Sequence, residues 1–352
     1  MIYFVTLQQF IDIRLLRHFN QTLRQMNSEN EPSVFHVRSN QAVISTGYRF
    51  FMGQFKTIFR HTWPFAIVYA LAFALTLNIF LYQMPQLLEA AMLARRGVGS
   101  AGLSDVHALS LFYMLVMTVV VILLLAPVFQ CLQQHQHSGV TAPPAKWYKV
   151  SAWPMTLRLL RLTLWFVLLE FIVILVIVLI SMMGGMLLAV AGMGQGSVIA
   201  ITLALGVLLL VCLAFQLPLV YTSYKYLLTP DAVFFKTLKS TYGVGLRHWG
   251  SLFLVVLMVF IITSLISMVV MMPYNILTAA ISWSLMGVAN GDPVGMPGYI
   301  SWMSFIVFSV AGFVMAYINI SSLFPFYYLY GSIEKQEQER KEMMHNRDLT
   351  AI

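Results

Sequence analysis

The sequence predicts an all-α fold, a polytopic bundle of six transmembrane helices built from three repeats. Each repeat is an interfacial amphipathic helix followed by a helical hairpin. Three observations carry this expectation. First, the 352 residues are 59% hydrophobic and only 10% charged, with a mean hydropathy of +0.80, whereas a soluble domain carries roughly 25% charged residues. Second, six stretches reach the ~20 apolar residues needed to cross a hydrocarbon core of about 30 Å. Third, a basic, aromatic-rich lead-in, an apolar hairpin and a late proline recur three times. Trp63, Trp165 and Trp249 stand where the hairpins begin, and Pro127, Pro218 and Pro325 near where they end.

Taken in order, residues 1–40 form a cytoplasmic N-terminal segment. Its opening, MIYFVTLQQFIDIRLLRHFNQ, reads as amphipathic and not as a signal peptide. The apolar run is short, no basic region precedes it and no small-residue cleavage site follows. Met26 opens the polar stretch MNSENEPS and offers an alternative start. Repeat 1 (residues 41–131) holds the spans Trp63–Tyr82 and Leu109–Gln130. Repeat 2 (147–228) holds Leu162–Ala191 and Val198–Tyr221, and repeat 3 (229–331) holds Ser251–Met272 and Ile300–Phe324. Backbone groups in lipid must be paired within their own segment, so each span is a helix. Residues 332–352 form a charged cytoplasmic tail.

Between the spans, residues 83–108 read as a long loop with an amphipathic stretch, PQLLEAAMLARR, and GMGQG at 192–196 as a tight turn. Pro273 interrupts the fifth span, which places the segment up to NGDPVGMPG in the outer interface. Any outward specificity belongs to these variable loops.

Charge sets the direction. Nineteen of the 21 Lys and Arg fall in residues 1–62, 132–161, 222–249 and the tail after Tyr330, while the alternate loops hold Arg95 and Arg96. The positive-inside rule then puts both termini in the cytoplasm. Topology alone accounts for the net charge of +8, and no nucleic-acid partner is implied.

The lead-ins YRFFMGQFKTIFRHTWPFAIV and FFKTLKSTYGVGLRHWGSLFLV each set an Arg-His pair before the Trp, and WPMTLRLLRLTLWFVLLEF keeps the Arg and Trp. They predict short helices in the cytoplasmic interface, the third capped by Thr229 with Pro230 in its first turn. Lys56, Arg60, Arg158, Arg161, Lys236, Lys239 and Arg247 are the expected lipid-facing cations, reaching headgroups while Phe, Leu and Trp enter the acyl boundary. The exits LLLAPVFQCL, AFQLPLVYTSYKYLL and SLFPFYYLYGSI predict a kink in each even span. Over residues 41–331 this layout resembles bacterial multi-span families built from tandem interfacial-helix hairpins. They include the membrane domain fused to some glycerophosphodiester phosphodiesterases and related inner-membrane proteins of unknown function. The resemblance implies a membrane fold without catalysis, because the soluble phosphodiesterase domain of those fusions has no counterpart here.

Candidate sites are few. Glu170 is the one charged residue well inside an expected span, about eight residues or roughly 12 Å deep. It shares a helix face with Thr163, Ser181 and Gly184, opposite Arg161. An intramembrane carboxylate reads as a proton or cation relay, or as a hydrogen-bonded fastener between helices, and the second reading weighs more because no second buried acid or base is evident. Asn275, with Ser264, Ser267 and Met271, and the late Asn319, Ser321 and Ser322 form polar stripes that suit packing better than a solute path. Cys131 and His135 lie one turn apart with His137 beyond, short of the four ligands of a closed metal site. His61 and His248 recur beside Trp at headgroup level. Cys131 and Cys212 are expected as free thiols. The tail, SIEKQEQERKEMMHNRD, reads as a solvated helix with a Glu337–Lys341 pair, or as a handle for a partner. No HExxH, GxSxG or phosphate-binding Gly-rich motif is present, so no catalytic residue, metal or cofactor is expected.

The function expected is non-enzymatic: membrane organisation, contact with anionic lipid, or scaffolding of a membrane or cytoplasmic protein partner. The alternative is a small-solute or lipid transporter with a cavity near Glu170.

Overall fold

The computed structural model describes residues 33–95, 103–138, 152–190, 195–289, 291 and 297–350. Met26, most of residues 1–40, and most of GMGQG and of NGDPVGMPG lie outside the described residues. Among the described residues every element is helical: α1 (Asn40–Arg95), α2 (Leu103–Ser138), α3 (Ala152–Val190), α4 (Gln195–Leu228), α5 (Phe234–Arg247), α6 (Trp249–Val270), α7 (Met272–Ala289) and α8 (Tyr299–Thr350). All but α5 and α7 contain segments long and apolar enough to cross a membrane.

The helices overrun the expected spans. Residues 83–95, read as loop, continue α1, and α2 starts at Leu103. The segment QLLEAAMLAR consists of strong helix formers, so propensity carries the helix on. The fifth span breaks where Pro273 requires it: α6 caps at Met271 and α7 restarts at Met272. Asn275 therefore belongs to α7 and not to the face of α6 that carries Ser264 and Ser267.

Two of the three lead-ins are not separate helices, since residues 41–62 and 153–161 run unbroken into α1 and α3. The third is. Asp231, at φ 57°, turns the chain after Thr229 and Pro230, and the N-cap of α5 is Val233, which makes no side-chain cap bond, so Thr229 is not its cap. Gly243, Gly245 and Gly250 surround the α5–α6 junction at His248 and weaken the helix there.

Each exit proline lies inside a helix that continues past it. Pro218 has no N–H to give the Ala214 carbonyl. The indole Nε1 of Trp249 donates to that oxygen at 3.0 Å, and the Tyr242 hydroxyl donates to Phe215 O at 2.9 Å. These bonds lay α5 back along α4 in antiparallel register.

The same kind of contact joins the first and last of the described helices. α1 and α8 form the most extensive helix pair, antiparallel from Arg38 N–Ser332 Oγ (3.0 Å) through Thr62–Tyr317 (3.3 Å) to Ser304–Asn78 (2.8 Å). A Cβ on Gly47 would come within 2.5 Å of Pro325 N, and one on Gly245 within 2.8 Å of Pro218 Cβ. Glycine thus lets a lead-in backbone close on an exit proline at both places.

The main core forms where α2, α4 and α8 converge at the basic end of the bundle. Phe129 meets Tyr224, Tyr221 meets Tyr330, and Phe50 of α1 packs on Phe324 and Tyr328. Two of the buried hydroxyls reach across helices: Tyr224 donates to Leu323 O at 2.8 Å, and Tyr327 bonds His135 Nδ1 at 3.0 Å. A smaller cluster of Ala74, Leu81, Ile281 and Phe308 joins α1, α7 and α8 at the far end.

Candidate functional site

The polar chemistry gathers at the basic end. The helical spacing of α8 puts Glu334 and Glu337 on neighbouring positions of one face. Lys225 donates to both Glu334 oxygens at 2.9 Å, and the Tyr221 hydroxyl donates to the same carboxylate at 2.7 Å. Arg247 donates to Glu337 at 2.8 and 3.0 Å, with His248 Nε2 at 3.1 Å and Arg340 at 3.7 Å. Burial alone would push the Glu337 carboxyl up. The hydrogen bonds and charges of Arg247 and His248 outweigh it and hold the carboxyl below its ordinary 4.5.

The tail is therefore anchored at its first turns. Glu337 faces the α5–α6 junction and pairs there instead of with Lys341, because two cations of another helix reach it in good geometry. The i,i+4 pair present is Lys335–Glu339, at 4.0 Å. Residues 341–347 are exposed.

Of the seven cations assigned to the lipid interface, Lys56, Arg60, Arg161, Lys236 and Lys239 are exposed with no ion pair among the described residues, and Arg247 is exposed but paired. Both Arg247 and Arg158 are engaged in protein contacts: Arg247 in the Glu337 cluster, and Arg158 with Thr229 O at 2.8 Å and the Tyr226 ring at 5.3 Å. Arg158 and Arg161 share an open cleft of about 770 Å³ with Gln133, His137 and Asp231. It lies between the end of α2, the start of α3 and the α4–α5 turn. Next to it, α3, α4 and α5 enclose an apolar groove in two lobes of about 160 and 570 Å³, which share Leu169, Leu219 and Leu238. Pattern reading missed this arrangement, because it depends on α5 folding back along α4.

Glu170 and Ser181 are half-buried on α3, and neither has a hydrogen bond or ion pair among the described residues. Asn275 is exposed on α7. α3 packs on α2 and α4, while α7 packs on α1, α6 and α8, so the three residues do not form one site. Glu170 lines neither the cleft nor the groove.

His135 is buried against Phe50 and bonded to Tyr327. Cys131 and Cys212 are free thiols. Among the described residues no three His, Cys, Asp or Glu groups gather as metal ligands. The two repeated histidines diverge: His61 bonds Thr57 O of its own helix at 2.6 Å, whereas His248 joins Glu337. Ser321 and Ser322 likewise bond back to their own helix. Alongside Thr62–Tyr317, the polar pair Asn78–Ser304 spans two helices in the apolar region. Its only sequence signal was an Asn in the middle of LTLNIFLY.

Comparison with known proteins finds no matching family model, no matching curated protein and no matching solved structure.

Proposed function

We propose that this chain is a non-enzymatic multi-pass protein of the bacterial inner membrane, with both termini in the cytoplasm, that organises the membrane through its basic end. That end contacts anionic lipid, and the exposed α8 extension offers a cytoplasmic partner a helix to hold. One observation carries the reading. Among the described residues, the end that carries Arg38, Arg49, Arg158, Lys225 and Arg247 is also where α2, α4 and α8 pack into the main core, and Lys56, Arg60, Arg161, Lys236 and Lys239 stand exposed around it. A rigid platform ringed with cations attracts anionic headgroups by about 1 kcal/mol per residue.

The threefold repeat belongs to this proposal. Gly47 on Pro325 and Gly245 on Pro218 support it, since in each case a lead-in closes on the exit of another repeat. Transport through a cavity at Glu170 has less support, because Glu170 lines neither the cleft nor the groove described above.

Tryptophan quenching by brominated lipids tests the reading in reconstituted vesicles. Brominated phosphatidylglycerol should quench more than brominated phosphatidylcholine, and the excess should shrink as salt rises. Equal quenching by the two lipids at low salt would remove the proposal.

A further inference from the structure

We infer that the face where α3, α4 and α5 meet holds one anionic phospholipid, with its headgroup in the Arg158–Arg161 cleft and its acyl chains in the adjoining apolar groove. This rests on the proposed function and narrows it from a charged surface to one built site.

The cleft has the charge for such a headgroup. Arg158 is fixed in place by Thr229 O and by the Tyr226 ring beneath it. Arg161, one turn on, is exposed and has no ion pair among the described residues. A guanidinium held in position with donors to spare is suited to phosphate oxygens. Among the described residues Asp231 is the one carboxylate on the cleft wall, so the two arginines leave that wall net positive. Gln133 adds amide donors and acceptors for a glycerol or other polar head.

The groove has the chemistry for the chains, and it begins where the cleft stops. Ala232 and Val233 border the cleft, whereas Phe234 and Phe235, the next two residues, border the groove. On α3 the change from Arg161 to Trp165 occupies one helical turn. Trp165 stacks on Phe234 with ring centroids 6.0 Å apart and planes 7° from parallel. This aromatic pair divides the polar part from the apolar part. Beyond it, Leu169, Ile172, Leu219 and Leu238 line the path toward Cys212.

One polar group in the wider lobe lacks a protein partner. The Gln216 amide nitrogen is buried and makes no hydrogen bond. An unmet donor in apolar surroundings is costly, and an ester carbonyl of a bound lipid would accept from it. A free phosphate would leave both the groove and this donor unused, and a neutral lipid would leave the arginines unused.

The test is native mass spectrometry of the full chain, released from nanodiscs of phosphatidylcholine mixed with phosphatidylglycerol. The wild type should retain one phosphatidylglycerol. Arg161→Gln should lower its occupancy about fivefold, the equivalent of one surface cation, while Arg161→Lys should keep most of it. Leu238→Trp, which fills both lobes, should abolish retention without changing the headgroup cleft. Val173→Trp serves if Leu238→Trp fails to fold. Equal retention of phosphatidylcholine, or retention untouched by both Arg161→Gln and groove filling, would overturn the site. So would displacement of the lipid by inorganic phosphate combined with phosphate binding that survives Leu238→Trp, since the cleft would then be an anion site alone. If phosphatidylglycerol is enriched around the protein but none is retained, the site fails and the proposed function stands. If no preference of either kind is found, both fail.

Discussion

α3 and α8 are both apolar helices, and they are built in opposite ways. The most apolar window of α3 has a mean hydropathy of 3.1 and none of it is buried, whereas that of α8 reaches 2.0 and is 39% buried. Hydropathy and burial run against each other because lipid tails are as apolar as leucine, so packing a leucine-rich face gains little. α3 presents Leu164, Val167, Phe171 and Ile174 outward. α8 instead puts glycine, tyrosine, serine and glutamate into its contacts, where close approach and hydrogen bonds supply what the hydrophobic effect does not.

Substitutions on the two helices' faces should therefore differ in proportion to packing and not to hydropathy. The largest effect belongs to Gly47→Ala, whose added Cβ would strike the Pro325 backbone. It should cost at least ~1–3 kcal/mol of overpacking, seen as a lower Tm in detergent. Gly206→Ala on α4, where a Cβ meets nothing within 4 Å, should change stability by no more than about 0.5 kcal/mol. Equal Tm shifts for the two would break the contrast.

Next comes Glu337→Gln, which keeps the shape but takes the charge out of the bonds to Arg247 and His248, a loss of about 1 kcal/mol for each from charge-assisted to neutral hydrogen bonding. Because the Glu337 carboxyl is held below 4.5, its stabilisation is present at and above that pH and is lost as pH falls through the depressed value. Wild type and Glu337→Gln should thus differ in Tm at pH 7 and converge in strong acid. A gap that persists unchanged in acid would mean that Glu337 acts through shape instead of charge.

Asn78→Leu should have a smaller effect, on the order of 0.6–1.7 kcal/mol, the range for hydrogen bonds between membrane helices. Combining it with Ser304→Ala should add little, because both remove the same bond. At the bottom of the series, Leu164→Ala on the outward face of α3 should leave stability within about 0.5 kcal/mol of wild type, seen as a nearly unchanged Tm.

The apolar segments were legible in the sequence because length and hydropathy are local properties. The Pro273 break was legible for the same reason, as proline acts on its own helix. The contacts were not. Nothing local says that Gly47 meets Pro325 across most of the chain, or that Trp249 replaces the hydrogen-bond donor that Pro218 lacks. The Trp and Pro pattern pointed to these residues without showing that they work as partners. Glu170 stood out because a charge is conspicuous in an apolar run, yet it has no partner among the described residues and lines none of the cavities described. Arg158 and Arg161 looked like two interfacial cations among many. Their cleft exists only after α5 has folded back along α4.

The most direct test of the basic end's role is the lipid composition around the protein when it is excised from its own membrane in polymer nanodiscs. Wild type should carry more anionic lipid than the bulk membrane, and the combined Lys56→Gln, Arg60→Gln, Lys236→Gln and Lys239→Gln variant should return to bulk composition while keeping its Tm. Bulk composition around the wild type, or enrichment unchanged in the variant, would contradict the role assigned to that end.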